Sequence, residues 1–492
     1  MLLSELIDGL DGKEIYAANR TGLSGIQIKG LSADSRLTKD GDLFFCIRGG
    51  AVDSHRFARE AVANGAVALV VEYKLELPVP QIVVGDSRKA MSLTAAAFYA
   101  YPSKDMKIVA ITGTNGKTTT SYMLASILEE AGKKTGIIGT LGISYGKKKI
   151  APELTTPDPI FLQETLADMR ADGVEYVVME VSAHALHYKK TLGVNFAACI
   201  FTNLSQDHLD FFENMTAYSR EKEKLFADDV CPLAVVNGDD KTGRGLLKLR
   251  RNPTFVYAID SPADAFAVIT SEGLYGSEFM LNLSDELCRV SLSMTGQHNI
   301  YNALAAATCA SAMGIYIGHI KDGLKKIRTV GGRLERVERF HGGDIFVDFA
   351  HTPDGLEKSL AALKAHCKGK LICLFGCGGN RDKTKRPLMG EAVAKKADFG
   401  VLSSDNPRYE DPLDIISDIE KGYRRFSKKY VVVPDREKAI DYALDLLGKG
   451  DVLLVAGKGG EEYQEIMGIK YFFNDNDIIK KRMEQKRENP FL

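Results

Sequence analysis

A chain of 492 residues exceeds what one hydrophobic core usually holds and implies roughly three domains. Apolar residues make up 45% and charged residues 26%, as in ordinary folded proteins, and a formal net charge of −1 excludes a general nucleic-acid binder, which needs a basic excess or stripe. No stretch approaches the roughly 20 apolar residues of a membrane helix, and the N-terminus lacks a basic region followed by an apolar one, so a cytoplasmic protein without membrane insertion is expected.

From the N-terminus to about Pro102, short strands and turns alternate. Residues 41–47 read as a strand, 57–65 as a helix stopped by a glycine, and 67–71 and 81–84 as buried strands, giving a small α/β domain over 1–104. Tyr101, Pro102, Ser103 and Lys104 have linker chemistry.

Residues 107–120 carry the most specific signal of the chain. An apolar strand with Ile108, Val109 and Ile111 runs into a turn of Gly113, Thr114, Asn115 and Gly116; Lys117, Thr118, Thr119 and Thr120 then open a helix with an apolar face. Backbone N–H groups at such a turn and helix start hold an anion, aided by the positive end of the helix dipole. Lys117 adds a point charge between phosphates and Thr118 a hydroxyl for Mg²⁺. A lone Gly-Lys-Thr reads as a helix cap, but the strand before it and the helix after it favour phosphate. Ile111 stands where the common Gly-x-x-x-x-Gly-Lys-[Ser/Thr] loop has its first glycine, so this loop is shorter.

Strands at 135–138, 176–180, 197–202 and 233–237 alternate with helices, which implies a mostly parallel sheet covered on both faces over 105–330. Gly331 and Gly332 break the pattern. A further series at 344–348, 370–375, 400–403 and 451–456 predicts a doubly wound, Rossmann-like sheet over 331–492, with ligands at the carboxyl ends of its strands. The charged tail at 480–489 reads as a solvated helix end. The eight cysteines include no Cys-x-x-Cys pair and read as buried free thiols.

Polar clusters follow these strands. Glu180 reads equally as a Mg²⁺ ligand opposite Thr118 or as a strand-end salt-bridge partner. His208 suits a second metal ligand, although an isolated histidine is more often structural. Residues 218–226 look like a solvated helix face with i,i+4 charge pairs. Asn299 and Asn302, one helical turn apart, offer paired amides to a planar base or simply cap the helix. Asp348 and His351 follow one strand of the third domain, and the glycine-rich segment with Arg381 follows the next. Residues 405–408 and 457–461 close the other two. A bidentate arginine suits a substrate carboxylate, and an acid such as Glu461 an ammonium. Together these groups suggest ATP used to activate a carboxylate that an amine then attacks.

With these residues in view, the chain resembles the Mur ligases of peptidoglycan synthesis over essentially its whole length. The short loop 113–118, Glu180 with Ser182, 203–210, 298–302, 348–353 and 376–382 match that family's motifs in order. The resemblance implies an ATP-dependent ligase that adds meso-2,6-diaminopimelate to UDP-N-acetylmuramoyl-L-alanyl-D-glutamate through an acyl phosphate. It implies ATP at Gly113, Thr114, Asn115, Gly116, Lys117, Thr118, Thr119, Asn299, Asn302, Arg333, Asp348 and His351. Ser35, Thr155, Thr156, Ser182, Tyr188 and Lys190 correspond to contacts of the UDP-substrate, and Arg381, Asp405, Asn406, Pro407, Arg408, Gly457 and Glu461 to contacts of the amino acid. Lys117, His208 and Lys222 take catalytic positions. Two Mg²⁺ ions are implied, with Thr118, Glu180, His208 and a CO₂-derived carbamate on Lys222 as ligands. A monomer is expected. Arg408 favours diaminopimelate over L-lysine because its guanidinium can bind the second carboxylate.

The chain departs from the family pattern at Ala183, Tyr188, Lys190, Gly460 and Ser54. Lys190 keeps a charge but loses the planar fork of an arginine. Competing readings are the same reaction with L-lysine, a catalytically silent nucleotide binder, and a folylpolyglutamate synthase; the last shares the loop but lacks a uridine-binding first domain.

Overall fold

The structure is a computed structural model and describes residues 1–16, 23, 25–50, 52–151 and 153–488. The chain forms two compact units: Met1–Ala110 with Lys134–Ala197, and Ile111–Lys133 with Ala198–Leu492.

The first unit begins with a five-stranded sheet in the order Glu14–Tyr16, Gln81–Val83, Ala68–Val71, Asp42–Phe45, Gly30–Ser32, parallel except for the first strand. Strand residues alternate between its faces. Leu43, Phe45, Ala68, Val70 and Ile82 pack with Leu3, Leu6, Ala90 and Met91, while Phe44, Leu69 and Val71 pack with Ala58 and Ala61 of a short helix. The same unit holds the parallel strands Thr135–Gly139 and Tyr176–Glu180, the latter ending in a buried carboxylate. The expected linker residues form a tight turn at Pro102–Lys104, with Ser103 buried.

The strands Phe196–Phe201, which enters the second unit at Ala198, Ala234–Asn237, Thr254–Ala258 and Ala265–Gly273 run parallel. The sheet then continues as an antiparallel meander through Gly276–Leu283 and Glu286–Leu292. The helix Lys117–Glu130 packs closely on Ile317–Lys326: a Cβ on Gly323 would stand 2.5 Å from Ile127 Cα.

The C-terminal part of this unit is a six-stranded sheet in the order Glu335–Phe340, Gly343–Asp348, Val452–Ala456, Leu371–Phe375, Phe399–Leu402, Tyr430–Val432. All but the first strand are parallel. Leu371, Cys373 and Phe375 face the helices Pro353–Lys364, Lys385–Lys396 and Pro412–Tyr423; Ile372 and Leu374 face Arg436–Asp445 and Asp475–Glu488. Burial on both faces explains the uninterrupted apolar runs of these strands. Val452–Ala456, the last of these six strands in sequence, is inserted between two earlier ones, which creates the topological switch point where an open sheet places its ligand. The loops 349–353, 376–384, 403–408 and 457–461 all lie at that carboxyl edge.

Two sequence expectations change. The tail is no freely solvated end: Asp475, Ile479 and Met483 are buried one helical turn apart, so one stripe of the last helix docks on the sheet, while Asn489 lies outside the described residues. All eight cysteines are free thiols, but Cys288 and Cys367 are only half-buried. Among the described residues no helix is long and apolar enough to cross a membrane.

Candidate active site

The strand Lys107–Thr112 delivers the chain to the phosphate loop, where Gly113 sits at φ +148° and Gly116 at φ +87°. A Cβ on Gly113 would stand 1.9 Å from Thr202 Oγ1, and one on Gly116 2.3 Å from Asn302 Oδ1, so both positions require glycine for conformation and for space. The loop is braced from behind. Thr202 Oγ1 donates to Asn115 O (2.7 Å), Thr114 N to Asn203 O (2.8 Å) and Asn115 N to Asn203 Oδ1 (3.0 Å). These bonds correct the expectation that the N–H groups of the turn, with those of the helix start, hold the anion. In this short loop Asn203 takes the N–H groups of Thr114 and Asn115, so only the helix start from Gly116 onward could offer its N–H groups to an anion.

Lys117 curls over the loop, its Nζ donating to Gly113 O and Thr114 O at 3.0 Å each. Arg333 Nη2 donates to Thr118 Oγ1 (3.0 Å), and the guanidinium lies 4.3 Å over the Phe349 ring. Asn302 Nδ2 donates to Asn299 Oδ1 (3.2 Å), Asn299 Nδ2 to Thr295 O (2.8 Å) and Thr120 Oγ1 to Asn302 Oδ1 (3.3 Å). The paired amides thus tie the helix Gln297–Ala312 to the phosphate loop. Asp348 accepts from Ala350 N (2.6 Å) and Leu334 N (2.8 Å) and shapes the loops that carry Arg333 and His351; burial raises its carboxyl despite the Arg333 charge.

Lys222 lies on the helix Met215–Glu223, whose charged residues suggest a solvated face. That expectation holds for the exposed Arg220 and fails for Tyr218 and Lys222, which turn inward one helical turn apart. Lys222 is only 2% exposed; its Nζ donates to Gly113 O at 2.8 Å and lies 4.7 Å over the Tyr218 ring. Burial, reinforced by the Lys117 charge and opposed by Asp207, holds the Lys222 amine well below the ordinary lysine range.

Asp207 was not singled out by the sequence, yet three nitrogen-bearing side chains converge on it. Lys385 Nζ stands 3.1 Å from Oδ1, His208 Nε2 3.3 Å and His351 Nε2 3.4 Å from Oδ2. Burial alone would raise this carboxyl, but the His351 contact and the Lys385 charge outweigh it and hold the group well below the usual carboxylate range. His208 adopts φ +55°, a left-handed conformation that costs a non-glycine residue about 1–2 kcal/mol.

At the sheet edge the expected amino-acid contacts form one network. Asn406 Nδ2 donates to Glu461 Oε2 (2.9 Å), and its Oδ1 accepts from Glu465 N (2.9 Å) and from Lys458 Nζ (3.2 Å). Lys458 is fully buried and also donates to Glu461 Oε2 (3.1 Å). The buried Asp405 is held below its ordinary range: burial opposes ionisation, but the Lys458 and Arg436 charges prevail. Arg408, at φ +52°, reaches Glu465 Oε2 through Nε (3.1 Å) and Gly379 O through Nη1 (2.9 Å). Arg381 stands apart, half exposed and 4.0 Å from Asp210. Lys458 and Glu465 were missed; a Lys and a Glu beside a glycine turn give no local signal.

In the first unit, Glu180 accepts from Thr140 N (2.9 Å) and Thr140 Oγ1 (3.0 Å), and Thr140 Oγ1 lies 3.1 Å from Thr155 Oγ1. Thr156 Oγ1 donates to Glu180 O (3.0 Å) and accepts from Ser182 N (3.1 Å). Four expected positions are therefore joined, Glu180 to Thr155 through Thr140, which was unnoticed in the sequence, and Glu180 to Ser182 through Thr156. Ser35 Oγ donates to Glu60 Oε2 (2.9 Å). Of the departures from the family pattern, Lys190 pairs with Asp158 (2.7 Å), and Tyr188 carries the Arg88 guanidinium 4.3 Å over its ring.

A phosphate loop and a basic and acidic amino-acid-sized network on α/β sheets have the chemistry of an ATP-dependent ligase joining a carboxylate to an amine. Family models match in three blocks: "Mur ligase family, catalytic domain" over residues 27–99, "Mur ligase middle domain" over 111–310 and "Mur ligase, glutamate ligase domain" over 332–459. The chain belongs to the Mur ligase family. It is 40% identical, over 99% of its length and 100% of the relative's, to the UDP-N-acetylmuramoyl-L-alanyl-D-glutamate–2,6-diaminopimelate ligase of Geobacillus thermodenitrificans (strain NG80-2). A solved structure of a UDP-N-acetylmuramoyl-L-alanyl-D-glutamate–2,6-diaminopimelate ligase aligns over 99% of both chains at TM-score 0.69 and 29% identity. The folylpolyglutamate synthase of Mycobacterium tuberculosis shares the fold at TM-score 0.63 and 18% identity, covering 75% of this chain and 92% of its own.

Proposed function

We propose that this chain is an ATP-dependent ligase that adds meso-2,6-diaminopimelate to UDP-N-acetylmuramoyl-L-alanyl-D-glutamate, working as a monomer in the cytoplasm, where its nucleotide substrates are made available. The observation that carries the choice of amine is Arg408: Nε and one Nη1 hydrogen are occupied by protein, and the terminal edge of the guanidinium remains for a second carboxylate. Glu461, oriented by Lys458 and Asn406, suits the ammonium. Near-full-length similarity to diaminopimelate ligases supports the same reaction.

The γ-phosphate of ATP passes to the side-chain carboxylate of the D-glutamyl residue. Lys117 and the start of its helix stabilise phosphate charge, and Arg333 orients Thr118. The neutral amine then attacks the acyl carbon, and the tetrahedral adduct expels phosphate to leave an amide. No protein nucleophile is needed. Mg²⁺ takes much of its shell from phosphates and water, so few protein donors are needed. Thr118 and a carbamate on Lys222 would supply oxygen donors; the family correspondence adds Glu180 and His208, the latter a weaker match because Mg²⁺ prefers oxygen. When bound, the metal would screen the phosphate charges.

Phosphate release from ATP with the muramoyl dipeptide and with diaminopimelate, each omitted in turn, tests the reading. Release and tripeptide formation that require both are expected; hydrolysis independent of both would leave a plain ATPase, and no release a silent nucleotide binder. Arg408→Ala should raise the KM for diaminopimelate by about tenfold to a hundredfold, the loss of a bidentate charged contact, with the KM for ATP little changed. Equal effects on both would place Arg408 outside the amine site.

A further inference from the structure

The guanidinium expected to select diaminopimelate already has a counter-ion in the protein. Arg408 Nε donates to Glu465 Oε2 at 3.1 Å, with both side chains mostly buried. Glu465 is no wandering surface acid: its backbone is fixed to the same loop from both sides. Arg408 N donates to Glu465 O (3.0 Å), Glu465 N to Asn406 Oδ1 (2.9 Å) and Met467 N to Arg408 O (2.7 Å). These bonds register the hairpin Tyr463–Ile466 and Ile469–Phe472 against residues 406–408 and hold Arg408 in its left-handed conformation. Glu461 has separate partners, Lys458 and Asn406, and does not duplicate the contact.

Two consequences follow from charge alone. Rejection of an amine lacking a second carboxylate is strong when binding it leaves a desolvated arginine unpaired. Here lysine in the site leaves Arg408 paired with Glu465, and the local charge is near zero rather than positive. The Glu465 carboxylate also weakens the pull on a substrate carboxylate and attracts an ammonium.

We propose that Glu465 is a specificity-determining residue that acts through Arg408: it positions the guanidinium with its terminal edge outward, and its charge sets a ceiling on discrimination between diaminopimelate and lysine. This rests on the diaminopimelate-ligase reading above. Glu465→Gln keeps an acceptor for Nε and removes only the charge, whereas Glu465→Ala removes both.

The test measures kcat and KM for meso-diaminopimelate, and kcat/KM or competitive inhibition for L-lysine, in the full chain with ATP and the muramoyl dipeptide. Glu465→Gln should raise the diaminopimelate-to-lysine preference about tenfold, mostly through KM, with the KM for ATP unmoved. Glu465→Ala should raise the diaminopimelate KM because Arg408 is no longer held. A preference in Glu465→Gln that stays within about twofold of wild type, or falls, overturns the proposal, as does wild-type protein that lysine does not inhibit at about a thousandfold excess. Wild-type protein that forms no tripeptide with diaminopimelate would instead bring down the functional reading itself.

Discussion

Lys222→Ala is expected to lower kcat about a thousandfold, the scale seen when an electrostatic group at developing charge is removed, with far smaller changes in the KM of any substrate. The chain places this lysine where a cation makes little sense. It is buried beside Lys117, and its Nζ donates to Gly113 O, the carbonyl that opens the phosphate loop. A second ammonium there would cost desolvation and repel the first. A neutral amine in the same place can attack CO₂: a C–N bond forms, a proton leaves, and the product would be an anionic carbamate with two oxygens beside the phosphate loop. That would convert an unfavourable neighbour of Lys117 into a favourable one and would supply an oxygen ligand for Mg²⁺. Lys222→Arg should be equally inactive, since a guanidinium stays charged and does not react. Small carboxylic acids should partly rescue Lys222→Ala, and bicarbonate should not. Labelling with ¹³C-bicarbonate should give a carbamate resonance in wild type that is absent from Lys222→Ala; undiminished activity in the mutant would sink the assignment.

The same lysine shows where sequence periodicity runs out. Met215–Glu223 is polar nearly all round, and nothing in its spacing separates the inward Lys222 from the exposed Arg220. What was legible rests on local grammar: apolar runs marked the strands of the C-terminal sheet because both faces are covered, and the glycine turn before Lys117 marked the phosphate loop because it lies within one strand–turn–helix unit. What was not legible is contact across the chain. Lys385 meets Asp207 from 178 residues away, and Thr140 meets Glu180 from 40. Composition at either end does not encode such pairs. The meander Ala265–Leu292 differs in kind: Ala265, Ala267, Phe279, Leu281 and Leu283 are buried in strict alternation, so a period-2 signal was present in a stretch expected to follow the parallel pattern.

Arg436→Ala should destabilise the C-terminal sheet by about 3–5 kcal/mol, the cost of leaving a buried ionic partner alone. Arg436 and Asp475 are both fully buried and joined by two bonds of 2.8 Å, from Nε and from Nη2. The guanidinium also donates to Ser404 O (3.3 Å) and Ala456 O (3.0 Å), so alanine would strand a carboxylate and two carbonyls. A melting temperature lower by on the order of 10 °C is the corresponding readout. Ser404 and Ala456 immediately precede Asp405 and Gly457, so the pair fixes the two strand ends from which the amine network springs. Below the new melting point the variant should therefore bind diaminopimelate more weakly while its KM for ATP stays near wild type. Arg436→Met combined with Asp475→Leu separates the two roles. Replacing both ions by apolar groups should recover most of the stability, since no lone charge remains, but not the carbonyl contacts that aim Asp405 and Gly457. Recovery of stability together with full amine affinity would show that the ion pair only holds the last helix in place.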